Sequence, residues 1–115
     1  MKTAIIGSRT ISTINIADYI PCGTTEIITG GAKGVDRLAE NFAKNNHYTL
    51  TVILPDYRRY GKAAPLKRNE LIVQNCDLLI AVWDGKSKGT AYTIQYAQKI
   101  GKEVIVCIPN ELLYR

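Results

Sequence analysis

The sequence predicts one α/β domain: a five-stranded parallel sheet in the order 3-2-1-4-5, covered by helices in a Rossmann-like three-layer arrangement. Three observations carry this prediction. Five short runs rich in β-branched and aliphatic residues recur along the chain, and the gaps between them have helical spacing. The fourth and fifth runs, with cores LLIAVW and VIVCI, are nearly continuous hydrophobics, as in parallel strands buried on both faces.

In order, the first strand is expected at Lys2–Ile6, and a short helix near Thr13–Ile20 ends before Pro21. The second strand is Glu26–Thr29. After it, Val35, Leu38, Ala39, Phe42 and Ala43 recur at the i, i+3, i+4, i+7, i+8 positions of a helix with one buried face. The third strand, Leu50–Leu54, leads into Pro55–Ala64 (PDYRRYGKAA), longer than a strand-to-helix loop needs and therefore a candidate lid or binding loop. Pro65 signals a helix start, with Leu66, Ile72 and Val73 on its apolar side. The fourth strand is Asp77–Trp83, followed by a helix carrying Ala91, Ile94, Ala97 and Ile100 and stopped by Gly101. The fifth strand is Glu103–Ile108, and a last turn is expected at Glu111–Tyr114. This strand order reverses between the first and fourth strands, where open α/β sheets bind ligands.

Composition narrows the function classes. With 46% apolar and 22% charged residues among 115, the chain reads as one ordinary globular domain. No apolar run approaches the roughly 18 residues of a membrane-spanning helix, and MKTAIIGSR reads as a strand rather than a signal peptide. Cys22, Cys76 and Cys107 lie outside any CxxC pair and read as reduced thiols of a cytoplasmic protein. His47, the one histidine, sits in a polar turn, which argues against a histidine metal site or a Ser-His-Asp triad. No protein-held metal is expected.

The net charge of +5 becomes informative once the charges are placed. Ten of the fifteen basic residues fall in, or within one helical turn of, a loop following a strand: Arg9, Lys33, Arg37, Arg58, Arg59, Lys62, Lys67, Arg68, Lys86 and Lys88. Asp36, Asp56, Glu70 and Asp84 share that rim, so its excess of +6 accounts for the whole positive balance. An anion site at the carboxyl ends of the strands follows.

Each loop contributes candidates. Gly7, Ser8 and Arg9 offer a backbone amide, a hydroxyl and a planar guanidinium suited to phosphate. The stretch TGGAKGVD, Thr29 to Asp36, turns a strand into a helix; Gly30, Gly31 and Gly34 leave amides free to form an anion-binding nest near the helix dipole. Asp36 suits either that dipole or ribose hydroxyls. The loop after the fourth strand runs Trp83, Asp84, Gly85, Lys86, Ser87, Lys88, Gly89 and Thr90. Its letters GKS are not a Walker loop, because Ile80 stands where the first glycine is required. It remains a second glycine-flanked loop opening a helix, with Ser87, Gly89 and Thr90 facing a phosphate. Arg68 and Asn69, early in the third helix, would close from the side, and Tyr57, Tyr60 or Trp83 would stack on a base.

Four segments in order, GSR at 7–9, TGGAKGVD at 29–36, AAPLKRN at 63–69 and DGKSKGT at 84–90, resemble the SLOG superfamily of Rossmann-like nucleotide-binding domains, most closely its YspA-type branch. The resemblance covers 1–115 as one SLOG-like domain. The superfamily also includes the LOG phosphoribohydrolases and the DNA-processing protein DprA. It implies a pocket for a nucleotide or nucleotide-derived ligand related to ADP-ribose. LOG enzymes carry PGGxGTxxE, and aligning that pattern on Gly89 and Thr90 puts Thr93 where the glutamate should stand. N-glycoside cleavage needs a carboxylate to support an oxocarbenium-like transition state, which Thr93 cannot supply.

The expectation is therefore a binding protein (sensor, carrier or sequestering module) for such a ligand, self-associating through an apolar face at Leu66–Val73, with Mg²⁺ a possible companion of the phosphates. The runner-up is a hydrolase of a nucleotide or N-ribosyl phosphate, with Asp36, Glu70 or Asp84 as water activator. The third reading is single-stranded nucleic-acid binding, on the aromatic and basic cluster Tyr57-Arg58-Arg59-Tyr60.

Overall fold

Five parallel strands lie in the order β3-β2-β1-β4-β5 in the computed structural model, which describes residues 1–109. They are β1 (Lys2–Gly7), β2 (Glu26–Thr29), β3 (Thr49–Val52), β4 (Leu78–Val82) and β5 (Glu103–Cys107). The helices are α1 (Val35–Asn45), α2 (Tyr57–Tyr60), α3 (Ala64–Asn75) and α4 (Lys88–Lys99). The turn expected at Glu111–Tyr114 lies outside the described residues.

Alternation along the central strands divides the core into two layers. Ile5, Ile27, Ile80 and Val82 pack with Val35, Ala39 and Ala43 of α1. Ala4, Ile6, Ile28, Leu79 and Ala81 point the other way, onto Ile72 and Val73 of α3 and Ile94 and Ala97 of α4. All five residues of β4 are buried, as its unbroken apolar run requires. Burying one such isoleucine contributes roughly 1.5–3 kcal/mol, so the sheet centre, not the loops, fixes the fold.

Several expectations are corrected. β5 has the composition of a doubly buried strand but pairs only with β4; at this sheet edge Ile105 and Val106 remain 43% and 42% exposed. The long connection after β3 contains short structure of its own: Asp56 caps α2 by accepting from the Arg59 amide at 3.2 Å, and a 3-10 turn at Gly61–Ala63 leads directly into α3. Of the apolar residues in Leu66–Val73, Ile72 and Val73 are fully buried, while Leu66 is half-buried and Leu71 exposed. The helix expected near Thr13–Ile20 shrinks to a single 3-10 turn at Ile16–Tyr19.

Candidate functional site

The carboxyl ends of β1 and β4 meet where the strand order reverses, and Ser8 ties them together. Its amide donates to Val82 O at 3.1 Å, and its hydroxyl accepts from the Asp84 amide at 3.0 Å. Ser8 is buried and its carbonyl receives the amides of Ile11 and Val35. So the start of α1 is docked onto the β1 loop. Two glycines permit that approach. A Cβ on Gly7 would lie 2.3 Å from Val82 O, and one on Gly34 would lie 2.4 Å from Ser8 O, with Gly34 also at φ +80°. Both glycines are needed for close packing under the site.

Above this floor a cavity of about 370 Å³ opens between the β1 loop and the first turns of α3 and α4. It brings together Gly7, Ser8, Arg9, Asp36, Arg68, Asn69, Ser87, Gly89 and Thr90 from the sequence-derived set, and adds Thr10, Ala32 and Lys88. A second cavity of about 310 Å³ holds Gly30 and Gly31 beside Lys33, Arg37 and Tyr57. Arg9, Ala32 and Arg68 line both, so the two are chambers of one cleft.

The first turn of α4 is the open end. Ser87 would ordinarily cap it, but its hydroxyl donates to Asp84 Oδ2 at 3.1 Å and makes no cap hydrogen bond. The amides of Lys88, Gly89 and Thr90 reach no acceptor among the described residues, and nothing beyond its chain neighbours and its own helix backbone lies within 4 Å of where a Gly89 Cβ would stand. Unsatisfied amides at the positive end of a helix dipole favour an anion.

The carboxylates differ sharply. Asp84 accepts from the amides of Lys86 and Ser87, both at 2.8 Å, and from the Thr10 hydroxyl at 2.8 Å. Despite an opposing contribution from burial, those donors hold its carboxyl well below the usual range, and its acceptor positions are filled in shaping the loop. Glu70 lines neither chamber; it is bonded to the Tyr92 hydroxyl and paired with Lys67 at 3.8 Å. Asp36 alone reaches the cavity. Burial pushes its carboxyl up to about 6, against the Arg68 guanidinium and the amides of Ala32, Gly7 and Gly30, which favour the charged form. Part of the amide nest expected at Gly30 is therefore directed at the chain's own carboxylate.

Arg68 is held as firmly. Its Nη1 donates to Gly30 O and its Nε to Asn69 Oδ1 at 2.7 Å, while Asn69 Nδ2 donates to Thr93 Oγ1 at 2.8 Å. Thr93 in turn donates to Gly89 O at 2.8 Å. This relay links the β2 turn through α3 to the mouth of α4. Thr93 drew attention in the sequence only as an absent glutamate; no spacing signal marks it as a link. Lys33 and Arg37 were visible as rim charges, whereas Thr10 had no signal beyond following Arg9.

Besides Gly34 and Glu70, four candidates line neither chamber. Thr29 is buried and donates to Ile5 O at 2.8 Å. Trp83 packs against the core and donates from Nε1 to Ser87 O at 3.1 Å. Gly85 turns the loop at φ +83° without lining either chamber, and Asp84 shapes that same turn. Of the aromatics, Tyr57 lines the smaller chamber, while Tyr60 lies under Arg59.

No protein-family model matches the chain. It is 33% identical over 85 residues to the Gene 61 protein of Mycobacterium phage D29, covering 69% of this chain and 68% of that protein. Its fold is similar to that of DNA processing protein A (DprA) from Streptococcus pneumoniae, with a TM-score of 0.75 at 21% identity over 91% of this chain. The chain spans about half of that protein, 49% of its length.

Proposed function

The chain belongs to the same family as the Gene 61 protein of Mycobacterium phage D29, and from the geometry of its cleft we propose that it binds a nucleotide or nucleotide-derived ligand. The observation that carries this is the uncapped first turn of α4, with three free amides facing a cavity that also receives Arg9 and Arg68. A phosphate would sit on the amides of Lys88, Gly89 and Thr90, with Arg9 as a movable clamp and Arg68 as a fixed one. Tyr57, 58% exposed beside the smaller chamber, is placed to stack on a base. Membership of the SLOG superfamily, its YspA-type branch and an ADP-ribose-like ligand belong to the same proposal.

Binding is favoured over hydrolysis by the state of the acids. Asp84 is spent on its own loop, Glu70 on Tyr92 and Lys67, and Asp36 on the amides around it. Among the described residues no three His, Cys, Asp or Glu side chains gather to hold a metal, so Mg²⁺ would arrive with ligand phosphates.

Titration calorimetry with adenosine monophosphate and ADP-ribose, on the unaltered protein and Arg9→Ala, tests the reading. Saturable heats that Arg9→Ala weakens support it. Absence of heat with both probes at low salt removes it.

A second reading has one specific support: the fold is shared with a protein named for DNA processing, and α2, which carries Arg58 and Arg59, sets its first residue Tyr57 against the smaller chamber. Single-stranded DNA bound there would lose affinity steeply with added salt. A flat salt response excludes it.

A further inference from the structure

The smaller chamber is unlike the larger one. Arg9, Lys33, Arg37 and Arg68 line it, no carboxylate does, and Tyr57 and the 67% exposed Leu54 form its outer wall. Arg9, Lys33 and Arg37 make no ion pair among the described residues. Arg9 and Arg68, which line both chambers, also repel one another, and a shared anion would reverse that.

Charge then decides how much anion the cleft takes. Across the two chambers Lys88, which lines the larger one, is a fifth cation, and Asp36 is the one carboxylate lining either. Five cations against one acid leave an excess of four. A phosphate monoester carries about −1.5 to −2 near pH 7, so one such group leaves about half of that excess uncompensated. Two of them, placed apart, balance it.

We infer that the occupant is a nucleotide with two separated phosphomonoester groups, such as a nucleoside 3′,5′-bisphosphate. One phosphate lies on the first turn of α4, the other between Lys33 and Arg37, and the nucleoside crosses Arg68 with its base against Tyr57. This rests on the nucleotide reading of the larger chamber and specifies what fills the smaller one. Neither Lys33 nor Arg37 is buried, so both can be replaced without disturbing the core.

The test is calorimetry at low salt with adenosine 5′-monophosphate, adenosine 3′,5′-bisphosphate and a 5′-phosphorylated dinucleotide, whose second phosphate is a singly charged diester. The bisphosphate is expected to bind at least about tenfold tighter than the monophosphate, the dinucleotide falling between them. The double variant Lys33→Ala/Arg37→Ala, with its thermal midpoint checked, should abolish the bisphosphate's advantage and leave monophosphate affinity unchanged. Equal affinity for the two adenosine nucleotides overturns the inference while leaving the nucleotide reading standing, as does equal weakening of both by the double variant. A dinucleotide tighter than the bisphosphate overturns it in favour of a strand. Failure of all three probes to bind removes both readings.

Discussion

The Asn69 side-chain amide donates to the Thr93 hydroxyl at 2.8 Å, joining α3 to α4 directly behind the open amides of the α4 first turn. Thr93 passes the connection on to Gly89 O and is only 1% exposed, so its hydroxyl has no water as a substitute. Thr93→Val keeps the shape but leaves Asn69 without its acceptor. The expected loss is about 1–3 kcal/mol in urea unfolding, with weakened nucleotide binding as Arg68 loses the support of Asn69. Thr93→Glu, which restores the acid of the phosphoribohydrolase pattern, is expected to destabilise by overpacking and to release no free base from adenosine monophosphate by chromatography.

Two positive-φ glycines near the cleft separate packing from turn geometry. Gly34→Ala meets both a φ of +80° and a Ser8 carbonyl 2.4 Å from the new Cβ, so a loss of about 3 kcal/mol or more is expected. Gly85→Ala has a similar φ of +83° but open space around it, and should cost roughly 1 kcal/mol. Thermal unfolding of the two variants ranks them; equal losses would mean that backbone conformation alone sets the cost.

This contrast also marks what the sequence makes legible. The central strands and the buried face of α1 follow from apolar spacing, because burial on a regular element leaves a period in the chain, and the strand order follows from the fold class. The exposure of Ile105 and Val106 does not follow, since a run such as VIVCI specifies a strand but not how many neighbours it has. At the site, Arg9, Arg68 and Thr90 were readable from charge and loop position. The capture of the Ala32 amide by Asp36, the diversion of Ser87 to Asp84 and the Asn69–Thr93 link were not, because each depends on side-chain geometry that spacing does not encode.

Asp36 gives the protein a specific pH signature. Its carboxyl is raised from 3.8 to about 6 by burial, so between those values the folded protein holds a proton that the unfolded chain has lost. Its contribution to stability is therefore fully present below about pH 4, declines as pH rises to about 6, and is lost above. A rise of that size corresponds to roughly 2–3 kcal/mol. Asp84, with its carboxyl lowered, acts in the opposite sense and only at more acidic pH. Urea midpoints of the unaltered protein and Asp36→Asn, compared at pH 4.5 and 7, isolate the effect. The gap between them should change by about 1–2 kcal/mol, with Asp36→Asn relatively better at pH 7. A constant gap would mean that the carboxyl titrates normally.

Gly89 offers the test that a purely structural role cannot imitate. It occupies the first turn of α4, and nothing beyond its chain neighbours and its own helix backbone lies within 4 Å of its missing Cβ, which would project into open space at the cleft. Alanine is a better helix former than glycine by about 0.5–1 kcal/mol, so Gly89→Ala should raise stability or leave it unchanged. The same methyl group crowds the amides of Lys88, Gly89 and Thr90, and a bound phosphate should lose about tenfold in affinity, or roughly 1.4 kcal/mol. Stability and binding are thus expected to move in opposite directions in one variant, read by thermal unfolding and by calorimetry with adenosine monophosphate. A variant that is stabilised and binds as before would place the phosphate away from α4, because no other property of a solvent-facing methyl could spare an anion resting on those three amides.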